Sequence, residues 1–168
     1  YGHGISVSLM QLARAYSVFA REGDMIPLTL TKQDSLPLGS VPVFSQQTAR
    51  EVRAMLEMAV QPGGTAPKAQ IPGYRVAGKT GTAHKLEGGQ YANKYISSFV
   101  GFAPASDPRL IVAIMIDEPS GGKHYGGDVA GPVFAGVMGG ALRTLGIAPD
   151  APLRAEGKSL GVQVAQSG

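Results

Sequence analysis

Three apolar segments in the second half of the chain follow one another with no helix-forming stretch between them. They are residues 74–83 ("YRVAGKTGTA"), 96–103 ("ISSFVGFA") and 109–119 ("RLIVAIMIDEP"). The first link, "HKLEGGQYANKY", is polar and glycine-bearing, and the second is a turn from Pro104 to Pro108. Parallel strands need a crossover of a dozen or more residues, usually through a helix. Neither link supplies one, so the spacing predicts an antiparallel meander. The third segment is apolar on both faces, which predicts a central strand covered on both sides.

Helices frame this meander. "SVSLMQLARAYSVFAREGD" turns Leu9, Leu12, Ala13, Tyr16, Phe19 and Ala20 to one face, with Ser6 or Ser8 as cap and Gly23 at its end. "SQQTAREVRAMLEMAVQ" starts at Ser45, turns Val52, Met55, Leu56 and Ala59 inward and stops at Pro62-Gly63-Gly64. A last helix over 129–145 places Val133, Phe134, Val137, Met138, Ala141, Leu142 and Leu145 on one face, with Pro132 in its first turn. Gly136, Gly139 and Gly140 weaken an isolated helix and suit one whose backbone approaches a sheet. Residues 24–44 read as extended and looping. Residues 149–168 lack apolar periodicity and read as a mobile tail after a unit ending at 148.

Composition narrows the function classes. With 168 residues and 43% apolar side chains, the chain can build one core. Its 15 basic and 12 acidic residues leave a dispersed net charge of +3, too weak to argue for a nucleic-acid partner. Cysteine is absent, which excludes disulfides, thiolate metal sites and a cysteine nucleophile. No apolar run of about 18 residues reads as a membrane span. The sequence begins at Tyr1 without a methionine or a signal-like segment, and we expect it to be a piece of a longer polypeptide.

The stretch "GYRVAGKTGTAHK" holds the chemistry, and it supports two incompatible readings. Gly73-x-x-x-x-Gly78-Lys79-Thr80 matches a phosphate-binding loop, and Asp117-Glu118 at the end of "LIVAIMIDE" resembles its magnesium-binding strand end. Such a loop joins a buried strand to a helix whose N-terminus holds the anion. Here "GTAHKLEGG" follows the lysine without an apolar helical stripe. Pro62, Pro67 and Pro72 interrupt the residues before Gly73. An antiparallel meander also denies the parallel strands that such an ATPase requires. That reading fails.

The other reading puts Lys79-Thr80-Gly81-Thr82 on a strand lining a groove. The lysine there supplies a cation, and the Thr80 and Thr82 hydroxyls can donate to a carboxylate. Gly81 lets another backbone come close. An edge strand offers free N–H and C=O groups to an extended peptide, and a backbone N–H can donate to a developing oxyanion. Alone, K-T-G is a weak signal.

The surrounding segments make it specific. "GYRVAGKTGTA", "NKYISSFVGFAPASDPR", "IDEPSGGKHYGGDVAGPVF" and "GALRTLGIAPD" occur in the order found in the cell-division class B penicillin-binding proteins, the peptidoglycan D,D-transpeptidases of Gram-negative bacteria. "SLMQLARAYSVFAREG" and "VQPGG" fit the same family, so the chain resembles the C-terminal part of its transpeptidase domain over about residues 1–150. S-x-x-K, a serine–asparagine motif and K-T-G form the known signature set of penicillin-binding proteins and β-lactamases. Only the third is usable here. Asn93 is the one asparagine, and Ser120-Gly121-Gly122-Lys123 has the spacing of the first motif but lies in a glycine-bearing loop, not on a helical turn. The resemblance therefore places the nucleophilic serine upstream of Tyr1.

By that resemblance, Lys79 sets the electrostatics of the groove, and Thr80 and Thr82 hold the carboxylate of a stem peptide or β-lactam beside Gly81. The Thr82 N–H completes the oxyanion hole. Tyr95, His124 and Tyr125 match an aromatic wall beside the site, while His3 and His84 read as solvated surface without metal-ligand spacing. The expected fold is α/β, with antiparallel strands packed with helices in a penicillin-binding-protein/β-lactamase-like domain. The implied partners are peptidoglycan stem peptides, β-lactam antibiotics, the N-terminal remainder of the same protein and division-complex proteins including a glycosyltransferase. The implied location is the periplasmic face of the inner membrane. No cofactor and no metal are implied. A serine β-lactamase or D,D-carboxypeptidase would share the lysine motif, and a non-enzymatic relative would share the fold.

Overall fold

The computed structural model describes residues 5–34 and 39–152. Helix α1 (Leu9–Ala20) opens on a reciprocal cap. The Gln11 N–H donates to Ser8 Oγ at 3.2 Å, and the Ser8 N–H donates to Gln11 Oε1 at 2.8 Å. Gly23, at φ +94°, then turns the chain where a Cβ would stand 2.3 Å from the Phe44 carbonyl oxygen. Strands β1 (Asp24–Met25) and β2 (Val41–Pro42) form a minimal antiparallel pair. Helix α2 (Gln46–Met58) starts on Ser45, whose Oγ accepts from the Thr48 N–H at 3.0 Å. A short 3₁₀ turn (Pro67–Ala69) leads into the sheet.

The sheet is the antiparallel meander that the short links demand, in the order β3 (Ala77–Glu87), β4 (Gln90–Ala103), β5 (Leu110–Asp117). Residues 84–95 do not loop as the sequence suggested. They continue β3 and β4 into a ribbon turned by Gly88 and Gly89, both at positive φ (+59° and +81°). Two positive-φ residues make the tight turn whose twist matches the strands. Polar residues suit this ribbon because it reaches beyond β5, which pairs with β4 only from Ile96 onward.

Alternation along β4 divides the core. Phe99 and Ala103 face helix α3 (Gly126–Thr144) with Ile71, Ala130, Phe134, Met138 and Leu142, and the Phe99 and Phe134 rings meet edge-on at 4.7 Å. Phe102 faces the other way, with Ala77 and Ala105 beneath Tyr16, Phe19 and Leu56 of α1 and α2. Three expectations change here. Strand β5 forms the sheet edge among the described residues and not a central position, although α3 packs on one of its faces and α1 on the other, and its side chains are part-buried apart from exposed Met115 and Asp117. Helix α3 starts at Gly126 and not at 129, so Pro132 lies in its second turn, and its larger buried side chains, Ala130, Phe134, Met138 and Leu142, recur at i+4 beside buried Gly127, Gly131 and Gly139. Val133, Val137, Leu145 and, on α2, Met55 are exposed because each lies one step round its helix from the packed face.

Beyond α3 the chain returns to the sheet. The Arg75 N–H donates to Asp150 Oδ1 at 2.7 Å, Ser106 Oγ donates to Asp150 Oδ2 at 2.6 Å, and the Ala151 N–H reaches the Gly73 carbonyl at 3.1 Å. The rest of the expected tail, residues 153–168, lies outside the described residues, as does His3.

Candidate active site

β3 has β4 on one side and no strand on the other among the described residues, so Lys79-Thr80-Gly81-Thr82 occupies a free edge. After Thr80 the chain remains strand as far as Glu87; no helix begins there to hold a phosphate. The Asp117-Glu118 pair is taken up by Lys85, whose ammonium lies 2.9 Å from Asp117 Oδ1 and 2.6 Å from Glu118 Oε1. These two facts remove the structural basis of the ATPase reading.

Register sets which side chains share a face. Thr80 pairs with Phe99, Thr82 with Ser97 and His84 with Tyr95, so all three lie on the α3 side of the sheet. Lys79 starts from the opposite face, opposite Val100, and its ammonium reaches the Thr80 carbonyl (3.2 Å) and Thr80 Oγ1 (3.1 Å). Thr80 Oγ1 in turn donates to Thr65 Oγ1 at 3.3 Å. The lysine cation thus polarises a short chain of hydroxyls along the strand edge.

Thr82 is held from the other side. The Gly126 N–H, at the start of α3, donates to Thr82 Oγ1 at 3.0 Å. With a lone pair engaged there, the Thr82 hydroxyl hydrogen is left to donate elsewhere. Helix α3 adds the positive end of its dipole at the same place. The approach needs glycine: a Cβ on Gly126 would lie 2.3 Å from the Ser98 oxygen and 2.6 Å from the Gly81 oxygen, and one on Gly127 would lie 2.0 Å from the Thr65 oxygen. The space beside Gly81 itself is taken by a side chain and not by another backbone: a Cβ there would lie 2.4 Å from Ser98 Oγ.

A groove of about 400 Å³ results, lined by Thr65, Pro67 and Lys68 on one wall, Thr80 and Thr82 on the strand, and Tyr125 to Asp128 on the helix side. Aromatic rings continue outward from it. Tyr125 lies 4.5 Å from His124, His124 stacks on Tyr95 at 4.0 Å, and His84 packs on Tyr95 at 4.5 Å. The three residues of the expected wall are therefore adjacent. His84 lies on the exposed surface and extends the row, with its Nδ1 3.0 Å from the Ala92 carbonyl. Buried Ser97 fixes this row by donating its hydroxyl to the His124 carbonyl.

Sequence reasoning missed Thr65, Lys68, Ser97, Gly126 and Asp128. "GGT" after α2 held Thr65 and "YGGD" at the start of α3 held Gly126 and Asp128, and both looked like loop, while Lys68 and Ser97 carried no signal. Ser120 and Lys123 remain in the loop before α3, where Lys123 turns toward Asp128 at 3.9 Å and not toward Ser120.

Comparison with known proteins agrees with this geometry. Residues 1–139 match the family described as penicillin binding protein transpeptidase domain. The chain is 48% identical over 156 residues to the probable peptidoglycan D,D-transpeptidase PenA of Neisseria gonorrhoeae, covering 92% of this chain and 27% of that protein. It is 47% identical over 152 residues to the peptidoglycan D,D-transpeptidase FtsI of Escherichia coli (strain K12), covering 90% and 26%. Among solved structures, the apo TP domain of penicillin-binding protein 3 from Burkholderia pseudomallei is 52% identical with a TM-score of 0.83, over 90% of this chain and 46% of that one. The chain thus spans about a quarter of the length of the curated relatives it matches. Its sheet order, its strand-borne K-T-G-T and these likenesses lead to one conclusion: the chain belongs to the penicillin-binding protein transpeptidase domain family.

Proposed function

We propose that this chain forms the K-T-G-T wall of a serine-type peptidoglycan D,D-transpeptidase. The observation that carries the reading is a free strand edge on which Lys79, Thr80, Thr65 and Thr82 converge as polarised donors, with α3 directed at Thr82. Such an edge takes an extended peptide by strand addition and meets its terminal carboxylate with hydroxyl donors. A serine outside these residues attacks the penultimate D-alanine carbonyl, the terminal D-alanine leaves with a proton, and an amine of a second peptide then displaces the serine from the ester. On this reading the Thr82 N–H supports the oxyanion, and the Tyr95, His124 and Tyr125 rings flank the acyl side chain.

The likeness to FtsI supports a role in septal wall synthesis, with β-lactams as competing acyl donors. The family resemblance supports a site of action at the periplasmic face of the inner membrane, next to a division-complex glycosyltransferase. The test is acylation of the full-length protein by a fluorescent penicillin. Lys79→Ala should slow acylation by well over tenfold, about 1.4 kcal/mol of transition-state stabilisation, while leaving thermal unfolding nearly unchanged. Thr82→Val should chiefly weaken capture of the carboxylate, and Thr82→Ser should stay close to the parent. An acylation rate for Lys79→Ala within about threefold of the parent would overturn the assignment.

A further inference from the structure

The rim of the groove carries charges for which the K-T-G-T strand gives no account. Lys68, in the 3₁₀ turn, donates its ammonium to Asp128 Oδ1 in the first turn of α3, and Lys123 Nζ stands 3.9 Å from the same oxygen. Lys68 and Asp128 line the groove together with Thr65, Thr80 and Thr82. Their side chains are 46% and 34% exposed, so a ligand entering the groove can reach both.

A bracing role is already filled by other contacts. The 3₁₀ turn and the residues leading into it are fastened to α3 by close backbone packing: a Cβ on Gly127 would strike the Thr65 oxygen at 2.0 Å, and one on Gly131 would lie 3.5 Å from the Ala69 nitrogen. Exposed ion pairs add little to such packing and rearrange readily in water. Their effect on the field in the groove is larger. Asp128 opposes the positive N-terminal end of α3 as seen by an anion in the groove, while Lys68 and Lys123 reinforce it. Two ammonium groups against one carboxylate leave the rim with one net positive charge. The pairing raises the Lys68 pKa and lowers that of Asp128, so both stay charged through neutral pH.

We infer that Lys68 and Asp128 form a charge latch that sets how strongly the groove recruits a carboxylate. Asp128 holds the Lys68 ammonium in the empty groove, and a carboxylate settling among the Thr65, Thr80 and Thr82 hydroxyls competes for it. Lys68 is then a specificity-determining residue, and Asp128 the positioning residue that restrains it. The inference rests on the transpeptidase reading of the groove.

The test compares acylation of the full-length protein, at low salt, by one β-lactam offered as its free carboxylate and as its methyl ester. Asp128→Asn should raise the acid-to-ester ratio of acylation rates about threefold, and Lys68→Gln should lower it about threefold. The double variant should match Lys68→Gln alone, because the Asp128 effect acts through Lys68. Lys68→Arg should retain the parent ratio, and all differences should shrink at about 0.5 M salt. A gain in Asp128→Asn cannot come from misfolding, which keeps the test decisive if Lys68→Gln folds poorly. Equal changes for acid and ester in every variant would show a bracing role only and overturn the latch. A parent protein acylated by neither form would overturn the transpeptidase reading itself, and the latch with it.

Discussion

The backbone N–H of Gly126 donates to Thr82 Oγ1 at 3.0 Å, across 44 residues of sequence. This bond couples the start of α3 to the K-T-G-T strand and leaves the Thr82 hydroxyl hydrogen free to donate in the groove that Thr82 lines. It forms only because residue 126 has no side chain between α3 and the backbone of Gly81 and Ser98.

Gly126→Ala should therefore damage both function and fold. The added methyl meets backbone oxygens, which cannot swing aside, so the start of α3 must shift at a cost of about 1–3 kcal/mol. In the full-length protein, acylation by a β-lactam should fall about tenfold or more as Thr82 loses its donor. Gly121→Ala is the control. Nothing lies within 4 Å of its Cβ and its φ is not positive, so unfolding should move by no more than about 0.5 kcal/mol. Thermal unfolding alongside acylation kinetics distinguishes the two variants.

Ser97→Ala tests the support of the aromatic row. Ser97 is fully buried, and its hydroxyl satisfies the carbonyl of His124. Removing it leaves that carbonyl unpaired, which should cost about 1–3 kcal/mol in chemical denaturation. The ring of His124 should also lose its fixed stacking on Tyr95, which broadening or shifting of its NMR signals would report. Wild-type stability together with unchanged His124 signals would show that the bond is dispensable.

The ribbon end of β3 and β4 should resist mild acid. Hydrogen bonding and charge from Lys85, with Lys94 behind it, hold the Glu118 carboxyl below its ordinary value of 4.5. A depressed acid stabilises the fold above its unfolded pKa, and that contribution is lost as pH falls through the folded value. The raised pKa of Lys85 gives the opposite limb, with stabilisation complete below 10.5 and lost only at higher pH than an ordinary lysine. The pairing should thus remain intact from pH 5 to pH 10. A carboxyl NMR titration should find the Glu118 midpoint below 4.5, and Lys85→Met should move it upward. A midpoint unaffected by Lys85→Met would remove the ion pair from the account.

The 168 residues on their own should not be labelled by a fluorescent penicillin. Among the described residues no serine stands one helical turn from a lysine at the groove, and donors without an activated nucleophile form no acyl-enzyme. Exposed Met55, Met58, Leu30 and the free edge of β5 should also make the chain poorly soluble by itself. Adding the upstream segment should restore labelling at a serine outside this chain. Intact-mass measurement followed by peptide mapping checks this, and a stoichiometric adduct on Ser120 would refute it.

Local rules in the sequence determined the elements. Ser8 and Ser45 cap helices because their hydroxyls suit free N–H groups, and links too short to cross over make the strands antiparallel whatever else the chain does. The sequence also determined that Lys79-Thr80-Gly81-Thr82 lies on a strand, since no helix can follow it. Tertiary structure alone decided what meets that strand. Periodicity places residues on a helix face but not on its rotation against a sheet, so Val133 and Val137 are exposed where Phe134 and Met138 are buried. Gly126 and Gly127 lower helix propensity, yet they begin α3 because only a bare backbone can pack against Gly81 and Thr65. Contacts such as Thr82 with Gly126, Thr80 with Thr65 and Lys68 with Asp128 join residues 15 to 60 positions apart, beyond the reach of any local pattern. They exist because the 3₁₀ turn, β3 and the start of α3 converge on one groove.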